Sequence, residues 1–193
     1  MRLSSFLSRH RHFFLIVFVI AGAISFFIYV SPTEIVQWVG VKNIYIATFL
    51  FAIIGGVSAL TATSFYATLF AFALGGANPF FLALISAPGV LIGDFLFWYL
   101  GHKGKAIVRP VIGRRIEGVS RWLSGKPRWA VPLGAYLYTG FIPLPGEFLM
   151  VTLALIGVPF SRVLIPTLLG NFTLALIVTL GAVYGYSFTD FFI

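Results

Sequence analysis

Long apolar runs, broken by short polar or basic stretches, set the pattern of this chain. Positions 13–30 form one run, and 79–101 and 159–181 form two more, the first of these two carrying one acid, Asp94, and the second one base, Arg162. Each is close to the roughly 20 apolar residues that a helix needs to cross a hydrocarbon core of about 30 Å. Two further apolar regions, 43–77 and 130–158, are interrupted. Gly55-Gly56 and the polar stretch 58–64 break the first; the sequence GFIPLPGE, from Gly140 to Glu147, breaks the second. The pieces on either side of each break are too short to span the core at about 1.5 Å per residue. The pattern therefore predicts full spans and, between them, pairs of half-length helices folded as re-entrant hairpins. Region 13–30 follows Arg2, Arg9 and Arg11 and contains an Ala-x-Ala at 21–23, as a signal peptide would. Signal peptides usually have shorter apolar cores, about 7–15 residues, which favours a retained spanning helix.

Segment 102–129 has a different character. Lys103, Lys105, Arg109, Arg114, Arg115, Arg121, Lys126 and Arg128 face a single acid, Glu117. Ile112, Ile116, Val119 and Leu123 recur at helical spacing, the stripe of an amphipathic helix on a membrane surface. An ordinary connecting loop is the alternative. Either way the positive-inside rule puts this segment and the basic N-terminus on the cytoplasmic side. Spans at 13–30 and 79–101 satisfy that count, and the tail 182–193, with Asp190 and no base, falls outside. Two short spans in place of a hairpin would leave the parity unchanged; the shortness of each half favours the hairpin.

Composition agrees with a bilayer as solvent. Hydrophobic residues make up 60% of the chain and charged ones 9%, against about 25% in soluble domains. Mean hydropathy is +1.02. The net charge of +8 fits basic cytoplasmic loops better than a nucleic-acid surface. There is no cysteine, which excludes disulfides, zinc–thiolate sites and thiol nucleophiles. His10, His12 and His102 lack metal-ligand spacing. No nucleophile elbow, P-loop or dinucleotide fingerprint is present. The expectation is a non-enzyme with no cofactor and no metal, whose partners are membrane lipids and a coupling ion, protons or sodium; homo-oligomerisation is left open.

Sliding the chain by 80 positions lays Pro79-Phe80 on Pro159-Phe160 and Leu100-Gly101 on Leu180-Gly181. With a small gap, Gly93-Asp94-Phe95 falls on Gly170-Asn171-Phe172. The expected fold class is an all-α integral membrane protein: an inverted repeat of re-entrant hairpin plus transmembrane helix (43–101 and 130–182), preceded by one transmembrane helix at 13–30. Such repeats with broken helices point to a transporter whose site lies at the repeat interface.

Pro143 and Pro145 remove two backbone donors and forbid helix around them, and Gly146 permits a reversal. Unpaired backbone survives at membrane depth only in protein or beside a wet cavity. Glu147 would then open the returning half-helix, where exposed N–H groups favour an anion. It is either a functional acid or a cap. Asp94, the other membrane-level acid, is either proton-coupled or paired with Arg162 or Lys103. Arg162 is otherwise read as a headgroup anchor. Thr61, Thr63 and Ser64 in the first hairpin either cap a half-helix or coordinate an anion.

The motif G-D-x-x-x-x-Y-x-G (Gly93, Asp94, Tyr99, Gly101), followed by the basic stretch and then by F-I-P and G-V-P-F, resembles the DedA family of VTT-domain proteins over about 43–182. That resemblance implies two opposed re-entrant hairpins and ion-driven flipping of a lipid such as a polyprenyl phosphate. The family's P-x-P-G-E lies in the first hairpin; here it lies in the second, at Pro143 to Glu147. Where the family's second hairpin carries two arginines, this chain has Gly140 and Gly146. The expected function is translocation of an anionic amphipathic lipid across the cytoplasmic membrane, with Glu147 proton-responsive and Asp94 supporting it. The alternatives are a proton-coupled exporter of small cations or drugs, and a non-transporting scaffold that binds anionic lipid.

Overall fold

The computed structural model describes residues 43–142 and 146–192. The spanning helix expected at 13–30, and Pro143 and Pro145, lie outside them. Among the described residues the protein is all helical: α1 (Ile44–Gly55), α2 (Ala59–Leu74), α3 (Pro79–Ser124), α4 (Ala130–Phe141), α5 (Gly146–Ile156) and α6 (Phe160–Phe192).

Two stretches, Pro79–Lys105 in α3 and Phe160–Gly185 in α6, are long and apolar enough to cross a membrane. Only 39% and 33% of their apolar windows are buried inside the protein. Phe80, Phe81, Leu84, Ile165, Leu169 and Ile177 are all exposed. Outward apolar faces of this size on both long helices are compatible with an all-α membrane protein and ill-suited to water.

Local chemistry fixes where the helices start and stop. Asn78 caps α3, its side-chain oxygen accepting from the Phe80 and Phe81 N–H groups at 2.9 and 3.4 Å, with Pro79 at the first position where no donor is needed. α2 and α5 end alike. Gly76 (φ +88°) and Gly157 (φ +98°) take the left-handed conformation. The next N–H reaches back in each case, Ala77 to the Phe72 carbonyl at 3.1 Å and Val158 to Leu153 at 2.9 Å. Glycine adopts this helix-ending geometry without the strain of a side chain.

Helix directions follow from the contacts. Tyr45 meets Phe81, and Gly89 meets Ala52, so α1 runs parallel to α3 from its N-terminal end. Asn171 meets Asp94 and Thr179 meets the Pro79 carbonyl, so α6 runs antiparallel to α3. Arg162 meets Arg128, and Gly140 meets Gly170, so α4 runs parallel to α6. Gly146 lies at Asp94 and Ala154 at Gly101, so α5 turns back beside α3. α2 turns back beside α6, where Leu69, Phe72 and Ala73 share a core with Ala175 and Ala182. The pairs α1–α2 and α4–α5 thus enter from opposite ends of the α3–α6 core. A second core joins Val131 and Ala135 of α4 to Leu153, Val158 and Val163.

The basic stretch does not start a separate helix. α3 continues through it to Ser124, because the apolar stripe from Ile112 to Leu123 keeps helical spacing and nothing ends the helix before Gly125. This continuation begins and ends beside one turn. Lys105 Nζ lies near Gly157, and Arg128 is tied to Arg162. Trp98 pins the same turn to α3, its indole N–H donating to the Val158 carbonyl at 2.9 Å.

Candidate functional site

The break between α1 and α2 and the break between α4 and α5 both reach the level of Asp94, near the middle of the α3 span. Glycines make this approach possible. Gly93 of α3 lies so close to the Gly56 backbone that a Cβ on Gly93 would overlap it, and a Cβ on Gly56 would come within 2.9 Å of Val90 Cα. On the other side a Cβ on Gly170 would overlap the Thr139 hydroxyl, and one on Gly140 would lie 3.3 Å from Gly170 Cα.

Between the two breaks lies a cavity of about 460 Å³. Ser58 and Thr63 line it from the first pair, Thr139 and Glu147 from the second, and Asp94 and Asn171 from the long helices. Tyr66 completes its polar lining. Among the described residues no lysine, arginine or histidine lines it.

Asp94 is 3% exposed, and its carboxylate oxygen Oδ2 accepts from the Asn171 amide at 2.7 Å. The alternative pairings with Arg162 or Lys103 do not form. Arg162 donates to the Arg128 carbonyl at 2.8 Å, and Lys103 sits over the Tyr99 ring, 5.5 Å from its centroid. The amide suits this place better than a cation would, since it meets a buried carboxyl without burying a second charge.

The reversal between α4 and α5 that the sequence assigns to Gly146 is not made there. Gly146 opens α5 instead and is not among the positive-φ residues. Its missing side chain serves a close approach: a Cβ there would lie 2.8 Å from Asp94 Oδ1. Glu147 follows it in the first turn of α5 and lines the cavity, so the two acids face one space.

The first pair delivers less of its polar cluster. α2 begins at Ala59, so Thr61, Thr63 and Ser64 are helical rather than part of the break. Thr61 is buried and donates to the Ile54 and Ser58 carbonyls, both at 2.9 Å. It closes the break on itself instead of facing the cavity. Ser64 does not line the cavity, and its carbonyl accepts from Thr68. Thr63 alone of the three lines it. Arg162 stands at the far end of α4–α5, on Arg128. Asn171, Thr139 and Tyr66 belong to the site and do not stand out in the sequence as site residues. Only Asn171 has a signal there, since Gly170-Asn171-Phe172 falls on Gly93-Asp94-Phe95 when the chain is slid along itself.

No family model, no curated protein and no solved structure matches the chain.

Proposed function

We propose that the protein is a membrane carrier, built as an inverted repeat of two re-entrant hairpins, that exchanges a small cation or cationic amphiphile for protons or sodium. The carrying observation is the cavity. It brings the carboxyl groups of Asp94 and Glu147 together between the two breaks and, among the described residues, has no basic side chain in its lining. An acid at membrane depth is costly to keep, so one that faces a cavity there points to ion or proton passage.

Helix length supports the re-entrant reading. α1 and α4 have 12 residues each and α5 has 11. At about 1.5 Å per residue these reach roughly 17–18 Å, little more than half the hydrocarbon core. The repeat reading rests on equivalent details. Gly56 meets Gly93 as Gly140 meets Gly170, and Gly76 precedes Pro79-Phe80 as Gly157 precedes Pro159-Phe160. Asp94 meets its own repeat counterpart, Asn171, as residues beside a pseudo-twofold axis do.

The sign of the preferred substrate departs from what the DedA resemblance implies. The family's two arginine positions are Gly140 and Gly146, and both are tight against neighbours, Gly170 and Asp94. Among the described residues the cavity has no phosphate grip, and the helices leave little room for one. The second reading, translocation of an anionic amphipathic lipid such as a polyprenyl phosphate, is favoured by one observation. The first turns of α2 and α5 both line the cavity, and helix N-termini attract anions.

Proteoliposomes with an imposed pH gradient separate the two. The cation reading expects saturable uptake of a fluorescent organic cation with proton release, lost in Glu147→Gln and Asp94→Asn. Translocation of a labelled polyprenyl phosphate without cation uptake would support the lipid reading. No movement of either substrate by the native protein would leave a scaffold, and native-like transport by both variants would overturn the role given to the two acids.

A further inference from the structure

The end of the molecule far from the cavity carries a second concentration of chemistry. Two Arg-Trp pairs, Arg121-Trp122 and Arg128-Trp129, stand seven residues apart at the end of α3 and in the turn that follows. Both indoles are 63% exposed. Lys126 lies over the Trp122 ring, 4.8 Å from its centroid. Arg162 joins them from α6, spending one of its five N–H donors on the Arg128 carbonyl at 2.8 Å. Lys126 on Trp122 and Arg162 on the Arg128 backbone thus meet at this end of the molecule, with Arg121 and Trp129 beside them in the chain.

We propose that this surface is a binding site for the headgroup of an anionic phospholipid. Charge complementarity selects the occupant. A phosphodiester carries one negative charge and acceptor oxygens, which suit guanidinium forks and a lysine. Indoles settle at the boundary between headgroup and hydrocarbon, with the ring in the apolar layer and the N–H in the polar one. The surface also closes the end of α4–α5, because Arg162 begins α6 and Arg128 precedes α4. A headgroup held here clamps the base of that pair. The proposal is independent of the cavity and of what it carries.

Quenching by brominated lipid tests it directly, since bromine on the acyl chain near the glycerol quenches indoles beside it. The purified full chain in mixed micelles is titrated with brominated phosphatidylglycerol and, separately, brominated phosphatidylcholine. The expected result is a preference for the anionic lipid of at least tenfold. Each base contributes roughly fivefold at a membrane surface. The triple variant Arg121→Gln, Lys126→Gln, Arg162→Gln should lose most of that preference. Native protein in about 0.5 M salt should lose it as well, because charge attraction is screened within a few ångströms there, and this arm needs no variant to fold. Soluble glycerol phosphate should not compete. Equal quenching by the two lipids, a preference that survives salt, or full competition by glycerol phosphate would each overturn the proposal.

Discussion

The contact between Asp94 and Asn171 makes the sharpest prediction. Replacing Asn171 by Ala takes away the amide that donates to a carboxyl only 3% exposed, at 2.7 Å. A buried acceptor left unmet costs about 1–3 kcal/mol, with the upper end for a charged group. For a chain of 193 residues that is a fall of roughly 2–12 °C in the unfolding midpoint. Loss of a partner alone does not prove that the two residues see each other, so the informative variant is the exchange Asp94→Asn with Asn171→Asp. Asn171→Asp by itself sets two carboxyls against one another and should destabilise strongly. Asp94→Asn by itself leaves two amides that can still bond and should cost little. The double variant restores one acid and one amide with the roles reversed. Its stability should return to within about 1 kcal/mol of the native chain, a coupling well above the scatter of independent sites. The measurement is thermal unfolding in detergent at one heating rate, followed by size exclusion. If the double variant falls by the sum of the two single losses, within about 0.5 kcal/mol, the pairing is wrong and the meeting of repeat counterparts goes with it.

Three further outcomes follow from the packing. Gly93→Ala pushes a methyl into the Gly56 backbone and should cost about 1–3 kcal/mol, whereas the same change at Gly181, which faces open space, should not; equal effects would contradict the crossing. Thr167 Oγ1 is buried with no partner among the described residues, beside Pro166 in α6, so Thr167→Val should be neutral or stabilising by about 1 kcal/mol in the same unfolding assay. In membranes, Ala62→Cys and Ile142→Cys, both lining the cavity, should react quickly with a water-soluble methanethiosulfonate, and outward-facing Phe148→Cys slowly, because only a hydrated thiol ionises readily. Three equally inert thiols would mean a dry cavity.

How far the sequence reaches can be judged residue by residue. The breaks at Gly55-Gly56 and before Glu147 are legible because glycine and proline act locally, through their own backbone. The long apolar helices are legible because hydropathy sums over many residues. Partnerships are not. Charge alone offers Asp94 two partners, Arg162 and Lys103, yet it takes an amide from a helix 77 positions away. A cation near in sequence is no nearer in space. The polar stretch that includes Thr61 to Ser64 reads as part of the break because serine and threonine are poor helix formers, but tertiary packing of Phe65 against Gly55 and the inward bonds of Thr61 hold it helical. Gly146 stands out in the sequence at the right position and for the wrong reason: what it supplies is space beside Asp94, which only the neighbouring helix defines.

The two acids also divide the cavity unequally. Asp94 belongs to α3, and Glu147 to α5, which packs on α3. The facing half, from α2 and α6, supplies Thr63 and Asn171, neutral groups. Close glycine crossings occur on both sides of the cavity, Gly56 on Gly93 and Gly140 on Gly170, while both cavity acids stand on the α3–α5 side. A carrier whose halves move against each other would then carry both carboxyls as one body, with the amide of Asn171 as the contact that must break. The exchange variant would shift one acid to the other half without removing it. On this reasoning it should fold like the native chain yet fail to move its cation, since the carboxyl transferred to α6 and that of Glu147 would no longer travel together. Native-like transport by the exchange variant would show that the location of the charge does not matter, only its presence in the cavity.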